Sequence, residues 1–375
     1  APRICVRYEW VPMRFIKHVY KIHTYAQDGC LFEGKTPVSA FLNSSYDGSF
    51  IAGLMELRYI QSLPVERIIN YFESHGFTLK KPTAHKLMEK ASSLFENLYK
   101  CIRQTALSDP YKAADETYYK ILVPEKNSKG KGVRKGYLWV VVGINTRMIY
   151  LLYDDGSRSE KVILNELGGC KGIIQSDGYS PYRKLESDAY PHITRIPCLQ
   201  HIKRKFIDCG EDEPDAKRIV EMINTLYQNE HKHKIGVDGW TVEQNLVHRK
   251  KYAPDILGEI KDVLDDIEER GDLLPKSELK EAITYLRNEW NAVVDIFNYG
   301  DTYLDNNIVE RMNRYISLSR KNSLFFGSHK GAERGAILYT IALTCRMNKV
   351  NLFEYLTDVI NRTAEWQPNT PLEKY

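Results

Sequence analysis

The sequence predicts a mixed α/β core, interrupted by a long helical stretch and preceded by helices. Three observations predict it. Three β-rich runs follow one another between about residues 115 and 153, a helix and two short buried strands alternate after them, and beyond residue 198 the apolar spacing becomes helical. At 375 residues the chain exceeds one minimal domain. With 43% hydrophobic and 27% charged residues it has the composition of a folded protein, which excludes wholesale disorder. The longest apolar stretch near the carboxyl end, 336–344, is broken by Tyr339 and Thr340 and is too short to cross a bilayer. The amino-terminal residues, with Arg3, Arg7 and Glu9, lack the apolar run of a secretory signal. Seven scattered cysteines suit a reducing cytoplasm better than a disulfide framework. The net charge of +4, from 53 basic and 49 acidic residues, says less about partners than where those charges fall.

Residues 1–48 alternate only briefly, as in 14–21, and predict a small β-rich or irregular piece. From Ser49 the spacing turns helical. Ile51, Leu54, Met55 and Tyr59 share a face, Pro64 precedes a helix over 65–73 that Gly76 ends, and Leu87, Ala91, Leu94, Leu98 and Ile102 mark a third helix starting near Pro82-Thr83. Two readings of 49–108 stand: a helix-turn-helix DNA-binding region, or an ordinary helical bundle. Runs 118–123, 137–144 and 148–153, separated by turn signals at 126–132 and 145–147, read as an antiparallel meander. A helix over 159–167 follows, then a buried strand over 172–175 ending at Ser176-Asp177-Gly178, then a strand over 192–197. That order is the order of a ribonuclease-H-like core, a mixed five-stranded sheet with flanking helices. It would span 109–210, be interrupted by a helical insertion over 211–300, and be completed by the helices of 301–375. The acidic segment 255–281, with Leu257, Ile260, Val263, Leu264 and Ile267 on one stripe, reads as a solvated helix face that repels phosphate.

Three acidic residues stand out from their surroundings. Asp115 opens the first strand in Ala114-Asp115-Glu116-Thr117, Asp177 follows the fourth strand, and Glu310 lies on a helix for which Asp305 is the expected N-cap. Breaking and joining phosphodiesters builds charge on attacking and leaving oxygens, which paired Mg²⁺ ions stabilise. Mg²⁺ takes oxygen ligands and keeps several waters, so a few carboxylates suffice to hold it. A single acidic residue picked without context is a solvated surface group far more often than a ligand. Around Glu310, however, Asn306 and Arg314 recur at four-residue spacing and Asn307 and Asn313 at three, so polar groups share one helix face. Downstream, 319–328 is a basic-aromatic segment containing Arg320, Lys321 and Asn322. It reads equally as a phosphate- and base-contacting loop or as a plain connection. Cys198 and His201 form a C-x-x-H followed by Lys203, Arg204 and Lys205. Three readings are open for that pair: packing, a zinc site completed by Cys209 or His192, or a histidine that approaches the carboxylates to position DNA or a proton.

Together these stretches resemble the insertion sequence 66 family of bacterial transposases. The matching segments are Asp115-Glu116-Thr117, Gly136-Tyr137-Leu138-Trp139-Val140, Ser176-Asp177-Gly178-Tyr179, the nine residues 198–206, and the long run 305–332. The resemblance implies a DDE transposase that cleaves DNA and transfers strands, with Asp115, Asp177 and Glu310 holding two Mg²⁺ or Mn²⁺ ions. It implies phosphate contacts from Lys203, Arg204, Lys205, Arg314, Arg320, Lys321 and Asn322, and auxiliary roles for Cys198, His201, Asn306 and Asn307. The implied partners are element terminal repeats, target DNA, further copies of the chain on DNA and helper proteins of the same element, all in a bacterial cytoplasm and away from membrane. The sequence departs from the family pattern in two places. Gln27 stands where the family's amino-terminal zinc-binding motif has a Cys, so no zinc is expected from the retained cysteines. Arg314-Tyr315 stands where the family usually has Arg-Pro after the Glu motif. Two rival functions remain at this level: a truncated, inactive DNA-binding relative, and a metal-dependent nuclease without joining activity.

Overall fold

The computed structural model describes residues 7–8, 13–35, 37, 39–41, 44–125, 130, 132–271 and 273–364. Near the amino end, β1 (Thr24–Gln27) and β2 (Cys30–Glu33) form an exposed antiparallel hairpin. Asp28 and Gly29, both at positive φ, make its two-residue turn and set Gln27 opposite Cys30. Helix α1 (Gly48–Met55) is capped by Asp47, whose carboxylate accepts the Phe50 N–H, and it continues into a π-helical turn, Glu56–Ile60. Helices α2 (Val65–Ser74), α3 (Lys81–Leu94) and α4 (Glu96–Ser108) follow, so the single third helix expected through Ile102 is broken at Phe95, and Leu87, Ala91, Leu98 and Ile102 are buried on its two halves.

The chain then builds a mixed sheet from β3 (Tyr111–Leu122), β4 (Val133–Gly143) and β5 (Met148–Leu152), followed by α5 (Glu160–Leu167), β6 (Gly172–Ser176), short α6 (Ser180–Arg183) and β7 (Ile193–Pro197). The strand order is β5-β4-β3-β6-β7, with β3, β4 and β5 antiparallel and β6 and β7 parallel to β3. The five expected strands are therefore present. A sixth, β8 (Phe325–Phe326), pairs with the far end of β3 and was not expected. The first strand also starts earlier than its apolar pattern suggests. Lys112 interrupts that pattern yet is fully buried, its ammonium donating to the Lys171 carbonyl at 2.8 Å. Asp115 consequently lies inside β3 rather than at its head. The predicted turn over 126–132 falls in part on residues 126–129 and 131, outside the described set.

Helices α7 (Leu199–Ile207), α8 (Pro214–Glu230), α9 (Val242–Arg270) and α10 (Glu278–Ile296) share a second apolar cluster with Tyr111, Ile173 and Ile196 of the sheet. The predicted stripe from Leu257 to Ile267 is buried in it. The acidic segment is not one helix: Gly271, at φ +67°, closes α9, and the Ser277 hydroxyl caps α10. Then come α11 (Asn307–Ser323), α12 (His329–Met347) and α13 (Leu352–Ala364). Residues 319–323, expected in a loop, form the last turn of α11. Helix α12 covers the free edge of β5. Its Thr344 hydroxyl accepts the Ile149 N–H and donates to the Ile149 carbonyl, and its Thr340 hydroxyl accepts the Leu151 N–H. Backbone groups that would otherwise template edge pairing are thereby satisfied. Among the described residues no helix is long and apolar enough to cross a membrane.

Gly172 is a sharp point of this architecture. It sits at φ +89°, where a Cβ would stand 2.2 Å from the Pro110 carbonyl oxygen, while the Ile173 N–H donates to that same oxygen at 2.8 Å. The Gly172→Ala variant is expected to lose about 2–4 kcal/mol from combined backbone strain and overlap, read as a lowered urea midpoint. A midpoint unchanged from wild type would show that β6 can shift freely against β3.

Candidate active site

Asp115 and Asp177 lie near each other where the sheet opens, close enough for the charge of Asp177 to act on Asp115, whereas among the described residues Glu310 clusters closely with Cys198 and His201. The last paired position between β3 and β6 is Ala113 with Gln175. Two residues beyond this pair come Asp115, still within β3, and Asp177, just past the end of β6. Beyond this point β6 has ended and β8 has not begun, so one edge of β3 is unpaired from Ala114 to Tyr119. Helix α11 lies along that gap. Asn306 Nδ2 donates to the Ala114 carbonyl at 3.0 Å, and Arg320 donates to the Thr117 hydroxyl and to the Tyr118 carbonyl. Between them, Asn313 Nδ2 donates to Asp115 Oδ2 at 2.7 Å. Glu310 lies one turn from both Asn306 and Asn313 on α11. The N-cap of α11 is Asn306 rather than the expected Asp305, whose carboxylate accepts the Asn307 N–H.

The electrostatics are those of crowded, poorly solvated carboxylates. Burial, reinforced by the charges of Glu116 and Asp177, pushes the Asp115 carboxyl up to about 8, against the opposing hydrogen bonds from the Glu116 N–H and Asn313. Asp177 accepts the Tyr179 N–H in a tight turn, and the adjacent Gly178 N–H donates to the Tyr285 hydroxyl. Glu116, beside Asp115 in sequence, reaches the other side of the strand. There it accepts Arg158 Nε at 2.9 Å and the Tyr182 hydroxyl at 3.4 Å. Burial, and then the charges of Glu116, Asp115 and Asp177, hold the fully buried Tyr182 phenol well above its usual range. Arg158 also lies over the Tyr179 ring at 4.1 Å. These roles for Glu116, Arg158 and Tyr182 were missed in the sequence. Period-two alternation signals only that Glu116 faces away from Asp115.

Several polar atoms here have no partner. Glu310 Oε1, His201 Nδ1, Asn306 Oδ1 and Asn313 Oδ1 are all buried without a hydrogen bond. Unfinished hydrogen bonding of this kind in a folded chain points to a ligand. His201 Nε2 lies 3.7 Å from Glu310 Oε1, and Cys198 Sγ completes a close trio with them. The third donor near the C-x-x-H pair is thus Glu310. Cys209 instead donates to the Lys205 carbonyl further along α7, and His192 is exposed ahead of β7.

The other predicted contact residues divide. Arg204, Lys205, Asn307, Arg314 and Lys321 are exposed, and Lys203 is half-buried with its ammonium 6.0 Å from the Tyr227 ring centre. Arg320 is held to the strand edge and stacks over Tyr118 at 3.8 Å, while Asn322 donates to the Ser62 carbonyl. Both therefore have structural partners already. Residues 43–334 match the model of a family described as Transposase IS66 family. Three curated relatives come from Sinorhizobium fredii (strain NBRC 101917 / NGR234). Uncharacterized protein y4jD is 26% identical over 325 residues, covering 83% of this chain and 61% of the relative. Uncharacterized protein y4hP is 24% identical over 382 residues, covering 95% and 67%. Uncharacterized protein y4qI is 26% identical over 385 residues, covering 98% and 69%. The chain therefore spans between 61% and 69% of the length of these relatives.

Proposed function

This chain belongs to the IS66 family of transposases, and from that premise we propose that it cuts DNA at the ends of an insertion sequence and joins the freed strands to a target. The observation that supports this reading is the nearness of Asp177 to the buried Asp115, with α11, the helix that carries Glu310, docked on the open edge of β3 through Asn306 and Asn313. In this reading the sheet is a ribonuclease-H-like core, α7 to α10 are an insertion within it, and the helices before β3 contact DNA.

The donor set fits hard divalent ions. Asp115, Asp177 and Glu310 offer oxygens only, one of which, Glu310 Oε1, is buried and unpartnered, and the crowding around Asp115 is the kind a cation relieves. These three residues would hold two Mg²⁺ or Mn²⁺ ions, which when bound supply charge stabilisation for in-line displacement at phosphorus. The protein's own groups do the positioning. Asn313 fixes the Asp115 carboxylate, Asn306 and Arg320 anchor α11 against the strand, and Arg158 pairs with the neighbouring Glu116. Lys203, Arg204, Lys205, Arg314 and Lys321 are placed to neutralise phosphates. In the first step water attacks phosphorus, the P–O3′ bond breaks, and the strand end keeps a 3′-hydroxyl. In the second that hydroxyl attacks a target phosphodiester, which releases the target's own 3′-oxygen.

Purified protein incubated with end-containing duplex and Mg²⁺ or Mn²⁺ should yield nicked ends and joined products. Glu310→Gln should lower both by about 10²–10³-fold, the usual cost of removing one preorganised charge interaction, while end-DNA affinity changes by only a few-fold. Wild-type protein that binds ends yet never cuts them would support the inactive-relative reading. Cutting without joining would support the nuclease.

A further inference from the structure

Cys198, His201 and Glu310 each offer one ligand atom, all within 4.8 Å of one another. We propose that these three side chains bind a soft, zinc-class divalent cation, and that its occupancy draws Glu310 away from Asp115 and Asp177. A tetrahedral zinc site places sulfur, imidazole nitrogen and carboxylate oxygen about 3–4 Å apart, from metal–ligand bonds of about 2.0–2.3 Å. The 3.7 Å between His201 Nε2 and Glu310 Oε1 already lies in that range. The local fold favours the cation in three ways. Cys198 is the N-cap residue of α7, and although burial pushes its free thiol up to about 12, its sulfur accepts the Asn306 N–H at 3.2 Å, a contact that a metal-bound thiolate would strengthen. Glu310 Oε1 is buried without a hydrogen bond, which leaves capacity that a cation would use. Cys198 is only 1% exposed, whereas the His201 and Glu310 side chains are 26% and 23% exposed, so the ion enters from their side and the thiol forms the floor.

Sulfur and imidazole select against Mg²⁺, whereas Asp115 and Asp177 offer only oxygen. Glu310 is the one side chain that both donor sets share. Bound in the soft site, its carboxylate is unavailable to the acidic pair, so zinc and magnesium act in opposition. This second half of the proposal rests on the transposase reading; the existence of the site does not.

The test is a titration of the full chain with Co²⁺ in the absence of DNA. A thiolate-to-cobalt charge-transfer band is expected in the near ultraviolet, saturating at one equivalent and displaced by zinc. Cys198→Ser should remove it, His201→Ala should weaken cobalt binding at least tenfold, and Asp115→Asn should leave it within twofold. Exposed Cys30 and other thiols could also bind cobalt, so a band that persists in Cys198→Ser overturns the assignment, as does the absence of any band in wild type. Circular dichroism of each variant identifies any that fail to fold, and His201→Asn is the second variant should His201→Ala be one of them. In the magnesium-dependent cutting assay, zinc should inhibit wild type strongly and Cys198→Ser at least tenfold less. Equal inhibition of both overturns the competition. If neither protein cuts DNA, the transposase reading fails, and the cobalt band alone still decides the site.

Discussion

Replacing Asp115 with Asn should abolish strand cutting and joining while making the folded chain more stable. The loss follows from the proposed role: an uncharged amide in the middle of the acidic set cannot hold a divalent ion as a carboxylate does, and the expected drop is on the order of 10³-fold. The gain in stability follows from the present cost of the carboxylate. Its folded-state pKa, raised to about 8 from an ordinary 3.8, means that the folded chain binds a proton the unfolded chain has released across that interval. Stability therefore falls as pH rises from about 4 towards 8. An amide removes this slope. It also suits its surroundings, because Asn313 Oδ1 has no partner and can accept from the new side chain once the Asn313 amide turns over. A gain of about 1–3 kcal/mol at pH 8, vanishing near pH 4, is expected in melts recorded without divalent ions. A variant that is less stable than wild type at pH 8 would show that Asp115 is not a strained charge. One that still cuts would remove it from the chemistry.

The second large effect is expected far from the acids. Arg249 is fully buried on α9, and its guanidinium joins four segments. It donates to Glu230 of α8 at 3.0 Å, to the Ile296 carbonyl at the end of α10, and to the Tyr299 carbonyl and the Thr302 hydroxyl in the link that leads into α11. Burial alone would raise the Glu230 carboxyl, but Arg249, helped by Tyr252 and Asn245, outweighs it and holds the group below its usual range. Arg249→Ala would strand a half-buried carboxylate and several buried carbonyls, at a cost of about 2–4 kcal/mol. Because the depressed Glu230 stabilises the fold above its unfolded pKa, the wild-type advantage should be complete at neutral pH and be lost as pH falls through the folded value. Activity should fall as well, since the disturbed link ends at Leu304 and Asn306, which set where α11 starts against β3. Arg249→Lys should rescue little, because one ammonium cannot replace a planar fork of donors. A melting temperature within a degree of wild type for Arg249→Ala would contradict this account.

Much of the fold could be read from the chain itself. The strands around Trp139 and Ile149, the helix at Glu160–Leu167 and the buried stripe of α9 appear where apolar periodicity put them. The errors have local physical causes. The first strand was expected to open at Asp115 because nothing near Lys112 reveals the Lys171 carbonyl, 59 positions away, to which its ammonium donates. Residues 319–323 looked like a loop because their polar side chains hide a helical turn whose Ser319 and Ser323 hydroxyls accept from the buried Arg58.

The sequence by itself determined the kinds and order of the elements and, through family motifs, which acidic residues deserve notice. Those properties are written in near-neighbour spacing, where helices repeat at 3.6 residues and strands at two. Only the tertiary structure decided that β6 stops short and leaves an open edge on β3, that asparagines and an arginine of α11 fill it, and that Glu310 lies beside the Cys198–His201 pair. Such partners are chosen by strand register and helix docking, which depend on packing across the whole sheet. No local pattern encodes them.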